Sequence, residues 1–287
     1  MTRRVVCALA VGALLFSGWI PVEAQDRVAD PGGLQFNVRF LQPSGGPVIP
    51  FFDGWYDNPD GTYELVFGYF NVNTEEVLDI PIGSDNVIAP SEFDGAQPTH
   101  FLPVPVDDHR HRGVFTVRVP ADFGGRDVVW TLRVADKTFS VPGRVTSPPY
   151  ELEGWDQPGR STVAPMLRFD PSGPEGRGPA GIAAGPLDTR VGMPLPLALW
   201  TTRQNPYREA DALPVSVTWF KHQGPGTVTF SDRTAEVAVE GGGTATTDVT
   251  FDEPGAYVLR VLAYNSVRDF EFYCCWTNGF VTVTVRP

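Results

Sequence analysis

Cys274 and Cys275 stand side by side, followed directly by Trp276. In an oxidising compartment two neighbouring thiols can close on one another. Successive side chains of a regular strand point to opposite faces, so such a bond needs a turned, non-extended backbone. Asn278-Gly279, just beyond, predicts that turn. The reading is a vicinal disulfide that stiffens a loop. Two free thiols, one packed in each direction, and a cross-link to another chain are the alternatives. A closed ring beside Trp276 would form a rigid apolar platform able to contact a ligand ring.

The run Asp107-Asp108-His109-Arg110-His111-Arg112 holds the other residues of possible chemistry. His109 and His111 share a face if the segment is extended, and His100 supplies a third imidazole if the fold brings it near. Imidazoles beside a carboxylate are zinc or copper ligands. Arg110 and Arg112 set positive charge against a cation there, and no metal is assigned. Asp53, Asp57, Asn58 and Asp60, and separately Glu75, Glu76 and Asp79, are rich in oxygen ligands. Their spacing matches no calcium loop, and the first group reads as turn chemistry.

Catalytic signatures are missing: there is no Gly-x-Ser-x-Gly elbow, no His-Glu-x-x-His pair and no glycine-rich phosphate loop. Gly241-Gly242-Gly243 lies between strands and reads as a hairpin turn. No catalytic residue and no cofactor is assigned. Carboxylates distant in sequence remain the one enzymatic route that a β-sandwich hydrolase would use. Phe51, Phe52, Trp55, Tyr56 and Phe70 crowd one hairpin. Trp55 and Tyr56, with Trp276, are the candidate ligand-contact aromatics, and an aromatic-rich core is the competing account.

The elements that must position these residues are strands. Leu34, Phe36, Val38 and Phe40 alternate with polar residues, as do Phe115, Val117 and Val119, and Trp130, Leu132 and Val134. Tyr63, Leu65, Phe67 and Tyr69 share a face. Further on, Val215, Val217 and Trp219, then Ala245, Thr247, Val249 and Phe251, then Val281, Val283 and Val285 repeat the pattern. Period two means one face buried and one wet. Asn58-Pro59-Asp60-Gly61 is a hairpin turn, with proline setting φ and glycine taking the left-handed position. No helical period is sustained. The fold class is all-β: two antiparallel β-sandwich, immunoglobulin-like domains, residues 34–143 and 186–287. Residues 144–185, punctuated by Pro148-Pro149, Pro158-Gly159 and Pro171-Ser172-Gly173-Pro174, are read as a Pro/Gly-rich linker parts of which lie against a domain.

Arg3 and Arg4 precede an apolar run from Val5 to Ile20, and Val22-Glu23-Ala24 offers small residues to a signal peptidase. Residues 1–24 read as a secretory signal peptide cleaved before Gln25. Export to the periplasm, cell surface or medium follows. Losing Arg3, Arg4 and Glu23 makes the mature chain one unit more negative than the whole chain's −12. An acidic surface argues against nucleic acid and anionic membranes as partners. No second stretch is long enough to span a bilayer after cleavage.

Val217-Thr218-Trp219, then Gly224-Pro225-Gly226-Thr227-Val228-Thr229-Phe230, and then Phe251-Asp252-Glu253-Pro254-Gly255-Ala256-Tyr257-Val258-Leu259-Arg260 resemble an immunoglobulin-like domain of the PKD type. The resemblance covers roughly a hundred residues and lacks the family's Trp-Asp-Phe-Gly-Asp-Gly stretch. In its corner, Gly255 turns the chain into a strand, while Tyr257 buries its ring and reaches backbone with its hydroxyl. The resemblance implies a spacer, adhesion or binding module of secreted bacterial proteins. Phe67-Gly68-Tyr69-Phe70-Asn71, Leu78-Asp79-Ile80-Pro81-Ile82-Gly83, Gln97-Pro98-Thr99-His100-Phe101 and Val119-Pro120-Ala121-Asp122-Phe123-Gly124 are similar to an uncharacterised family of secreted bacterial proteins, which implies no activity. Three functions are therefore weighed: an exported non-catalytic structural or protein-interaction module, a carbohydrate-binding accessory protein using surface aromatics, and a hydrolase with dispersed carboxylates. The expected partner is a protein or glycan at the cell surface.

Overall fold

The computed structural model describes residues 41–103, 110–152, 164–202, 214–238, 242–265 and 276–287. Residues 1–24, read above as a signal peptide, the strand expected at Leu34–Phe40, His109, Cys274 and Cys275 lie outside the described residues. Nearly every described element is a strand, and no α-helix occurs among them.

In chain order the first half contains β1 (Val48–Asp57), β2 (Tyr63–Asn71), β3 (Leu78–Asp79), β4 (Asn86–Ala89), β5 (His100–Phe101), β6 (His111–Val119), β7 (Val128–Val134) and β8 (Lys137–Gly143). β1-β2-β6 form one sheet, β4-β7-β8 another, and β3-β5 a short ribbon, all antiparallel. Leu65, Phe67, Phe115 and Val117 from the first sheet meet Ile88, Trp130 and Leu132 from the second, all buried. The rings lock at defined angles: Trp130 stands edge-on to Phe115 at 5.0 Å. The β1–β2 turn is as the sequence predicts, with Gly61 at φ +82 and its N–H bonded to Asn58 O at 2.9 Å.

The second half contains β9 (Met166–Arg168), β10 (Ile182–Arg190), β11 (Leu195–Thr202), β12 (Val215–Gln223), β13 (Val228–Phe230), β14 (Thr234–Val237), β15 (Gly243–Phe251), β16 (Gly255–Asn265) and β17 (Trp276–Arg286). One sheet runs β10-β17-β16-β12-β14 and the other β13-β15-β11-β9. β10 lies parallel to β17, and the other ladders are antiparallel. The inward residues Leu199, Trp219, Val249, Leu259 and Val283 fill the space between. Two sheets packed face to face with strands crossing between them make the immunoglobulin-like arrangement. At its corner Tyr257 is buried and its hydroxyl donates to Glu253 O at 2.7 Å. A Cβ on Gly224, at φ +125, would strike the Tyr257 ring, so only glycine lets the ring seat there.

Within residues 144–185, short pieces join both halves. Met166–Arg168 pairs with the end of β11, and Leu152 packs with Tyr56 and Val66 behind β1 and β2. This second layer explains why β2 is buried on both faces where its alternation suggested one. Asn278-Gly279, expected as a turn, lies inside β17. Gly279 pairs with Val261 on one side and Ile182 on the other, and its missing Cβ admits the Phe169 ring. Asn278 is held by buried side-chain hydrogen bonds that outweigh its local turn preference.

Candidate functional site

The described residues converge at a polar seam where the outer face of the β17-β16-β12 sheet meets the first sandwich. Alternation puts Phe220, His222, Arg260, Leu262, Asn278 and Phe280 on that outer face, opposite the core residues Trp219, Leu259 and Val281. A wet face would not carry so many aromatic and apolar groups. Their cover comes from residues 95–99 and from the start of β6. Thr99 N donates to His222 O at 2.8 Å, and Gln223 Nε2 donates to Gly95 O and Gln97 O at 2.8 and 2.7 Å. Asn278 Nδ2 donates to Gly113 O at 2.7 Å and to Pro179 O at 2.8 Å.

The loop on the first side is itself anchored to that sandwich's core. Asn86 is fully buried; its Oδ1 accepts from Trp130 Nε1 at 3.0 Å, and its Nδ2 donates to Ile80 O and Pro98 O. Gln97 Nε2 donates to Asp94 Oδ1 and Asn86 O. Core packing thus sets the position of the carbonyls that β12 reads.

Charge at the seam is mostly positive. Lys221 Nζ reaches Asp79 Oδ1 at 3.1 Å and Gly226 O at 2.6 Å. His100 Nδ1 shares the same Asp79 oxygen at 2.8 Å. Burial raises the Asp79 carboxyl pKa, but hydrogen bonds and charge from His100 and Lys221 outweigh it and hold the pKa below the usual value. His222, 3 % exposed, donates from Nε2 to Ala96 O at 2.9 Å, and burial pushes its pKa down to about 3, so the ring is neutral. Tyr69 stacks on His111 at 4.6 Å, and burial raises its hydroxyl to about 12.

Two of the histidines singled out by sequence fall at this seam. His100 and His111 line one small cavity there with Arg260 and Lys221. That wall repels a metal cation, and His111 Nε2 is engaged with Pro103 O at 2.8 Å. Among the described residues no three potential ligands cluster for a metal. Tyr56 and Trp276 are 6 % and 7 % exposed, so neither offers a ring face to a ligand. Tyr56 takes the Ala180 N–H on its hydroxyl at 3.3 Å, and Trp276 packs on Gly113. Trp55, half-buried, donates from Nε1 to Ser147 O at 3.0 Å and meets Tyr63 edge-on. The buried carboxylates Asp53 and Glu64 are held by Arg110 and Arg118 respectively. Burial raises the Asp53 pKa despite the pull of Arg110 and of the Gly113 N–H.

A second feature lies on the outer face of the other sheet. Trp200 is paired across strands with Arg168 and Thr244, and these with Met166, Pro171 and Thr202 line an open groove of about 270 Å³. Arg168 is ion-paired with Glu175 and donates to Pro171 O at 3.0 Å. Neither Trp200 nor Arg260 was singled out in the sequence. The available signal was aromatic and cationic residues at outward positions of strands.

No protein-family model matches the chain, and no curated protein matches it in sequence. Solved structures similar to it include a PKD domain of an M14-like peptidase from a Thermoplasmatales archaeon, 16% identical, covering 45% of this chain and 98% of that one, with TM-score 0.25. The D00-D0 domain of intimin is 13% identical over 83% of this chain and 100% of its own, with TM-score 0.27. The Yersinia pseudotuberculosis adhesin InvE is 13% identical over 85% of this chain and 60% of its own, with TM-score 0.25.

Proposed function

We propose that this chain is an exported, non-catalytic structural or protein-interaction module of the periplasm, cell surface or medium, built from sandwich domains at residues 34–143 and 186–287, the second of the PKD type. The observation that carries this reading is the seam. It covers the outer face of one immunoglobulin-like sheet with hydrogen-bonded, buried polar groups, so the two sandwiches present their remaining surfaces in fixed register. A module that holds surfaces in register is suited to spacing or to protein contact, whereas a hydrolase needs a cleft between its acid and base. The outer face of β13-β15-β11-β9, with exposed Thr244, Thr246 and Asp248, is one surface open to a partner. In cells exporting the protein, a photo-reactive residue at Thr246 is expected to cross-link to a protein. Processing before Gln25, read by N-terminal sequencing, is expected in the same material. Absence of both would remove this reading.

A carbohydrate-binding role is the second reading, supported by the Trp200 groove, where an indole sits among threonine hydroxyls and a guanidinium. Reproducible glycan-array binding that disappears in Trp200→Ala would put this reading first.

A further inference from the structure

The seam holds a buried charge that no carboxylate among the described residues answers. Arg260 projects from the middle of β16 into the contact and is 4 % exposed. One guanidinium nitrogen donates to Val114 O at 3.3 Å, while Nε has no hydrogen-bond partner. The group lies 4.8 Å from the Phe220 ring centroid, and Arg233 approaches the same ring at 5.4 Å, adding a second positive charge. Burial lowers the Arg260 pKa only to about 10, so the guanidinium stays charged at neutral pH. Among the described residues no carboxylate pairs with it. Asp79, the acid at the seam, is taken up by Lys221 and His100. A buried ion without a counter-charge is strongly unfavourable, and proteins answer it with a partner.

Beside Arg260 is a cavity of about 10 Å³ lined also by Tyr69, His100, His111, Lys221 and His222. That is room for about one small particle, so a compact occupant fits better than a bulky one. The Tyr69 hydroxyl accepts from Leu102 N at 3.1 Å, leaving its own proton to donate. His222 and His111 direct Nε2 to the carbonyls of Ala96 and Pro103. Among the lining residues the Arg260 Nε–H and the Tyr69 O–H have no protein acceptor, while the neutral His222 ring, donating from Nε2, keeps an unprotonated Nδ1. Water meets the donors but leaves the charge unanswered.

We propose that this cavity binds one small monovalent inorganic anion, chloride in ordinary saline, held between Arg260 and Tyr69 and tying the two sandwiches together. Tyr69 belongs to the first sandwich and Arg260 to the second, so the ion contributes to stability only while the seam is closed. Chloride concentration then becomes a control on how firmly the two halves hold.

Two measurements on the full exported chain decide it. Crystals of the wild-type protein grown in bromide are expected to show an anomalous peak within hydrogen-bonding reach of Arg260 Nε. The thermal midpoint, followed as chloride replaces the bulky anion gluconate at fixed ionic strength, is expected to rise about 3 °C per tenfold chloride above the dissociation constant. Arg260→Met is expected to lose that dependence and Tyr69→Phe to move it to higher chloride. Should Arg260→Met fail to fold, Tyr69→Phe carries the comparison. A cavity holding only water in bromide crystals overturns the proposal. A bromide peak with the same midpoint in chloride and gluconate marks an adventitious ion only, and overturns it equally.

Discussion

His222 Nε2 donates to the carbonyl oxygen of Ala96 at 2.9 Å, and the main-chain oxygen of the same histidine accepts from Thr99 at 2.8 Å. One residue of β12 thus joins the second sandwich to a loop that Asn86 and Gln97 tie to the core of the first. The pairing is mostly main chain on one side and side chain on the other, which fixes the orientation of the contact. Burial of the imidazole is the energetic consequence, and it makes the seam sensitive to acid.

That sensitivity has a definite sign. The His222 pKa is about 3 in the folded protein, against 6.5 for a free ring. Its stabilising contribution is fully present above pH 6.5. It is lost as pH falls toward 3, because the unfolded chain takes up a proton that the folded chain refuses. The slope from this group approaches about 1.4 kcal/mol per pH unit below pH 6.5. Urea unfolding at pH 7.5 and pH 4.5 is expected to show a smaller loss in His222→Gln than in wild type. Equal losses in the two proteins would place the acid sensitivity elsewhere.

Gly113 carries φ +51, and a Cβ there would lie 2.5 Å from Trp276 Cζ2. Gly113→Ala is therefore expected to cost at least about 1–3 kcal/mol, from backbone strain and overpacking together. The damage should open the seam before it unfolds either core. Limited proteolysis tests this: earlier cutting within residues 144–185, with both sandwich fragments surviving, is the expected pattern.

Tyr257→Phe keeps the buried ring and removes the hydroxyl that donates to Glu253 O at 2.7 Å. A loss of about 1 kcal/mol in thermal or denaturant unfolding is expected. No measurable change would mean that water replaces the hydroxyl without penalty.

Cys274 and Cys275 are predicted from sequence to form a vicinal disulfide in the exported protein. The ring is too small for a chain-entropy gain, so reduction should change the unfolding midpoint little. Intact mass after alkylation, with and without reductant, reads the state directly. Two alkylated thiols in unreduced, freshly exported protein reject the pairing.

The period-two patterns of Val215–Trp219, Ala245–Phe251 and Val281–Val285 were enough to establish two-layer β structure, because alternation is a local property that each strand writes for itself. The Tyr257 corner and the Asn58–Gly61 turn were legible for the same reason. Local preference misled at Asn278-Gly279, where β17 continues because Asn278 satisfies the carbonyls of Gly113 and Pro179, distant in the chain. Only the tertiary structure decided that the outer face of β12, β16 and β17 is buried. His222, Arg260 and Asn278 occupy positions that alternation assigns to solvent, and their partners at residues 95–99 and 113–114 lie more than a hundred residues away. A sequence records which residues can face the core of their own sheet, whereas the covering of the other face depends on how two finished surfaces meet.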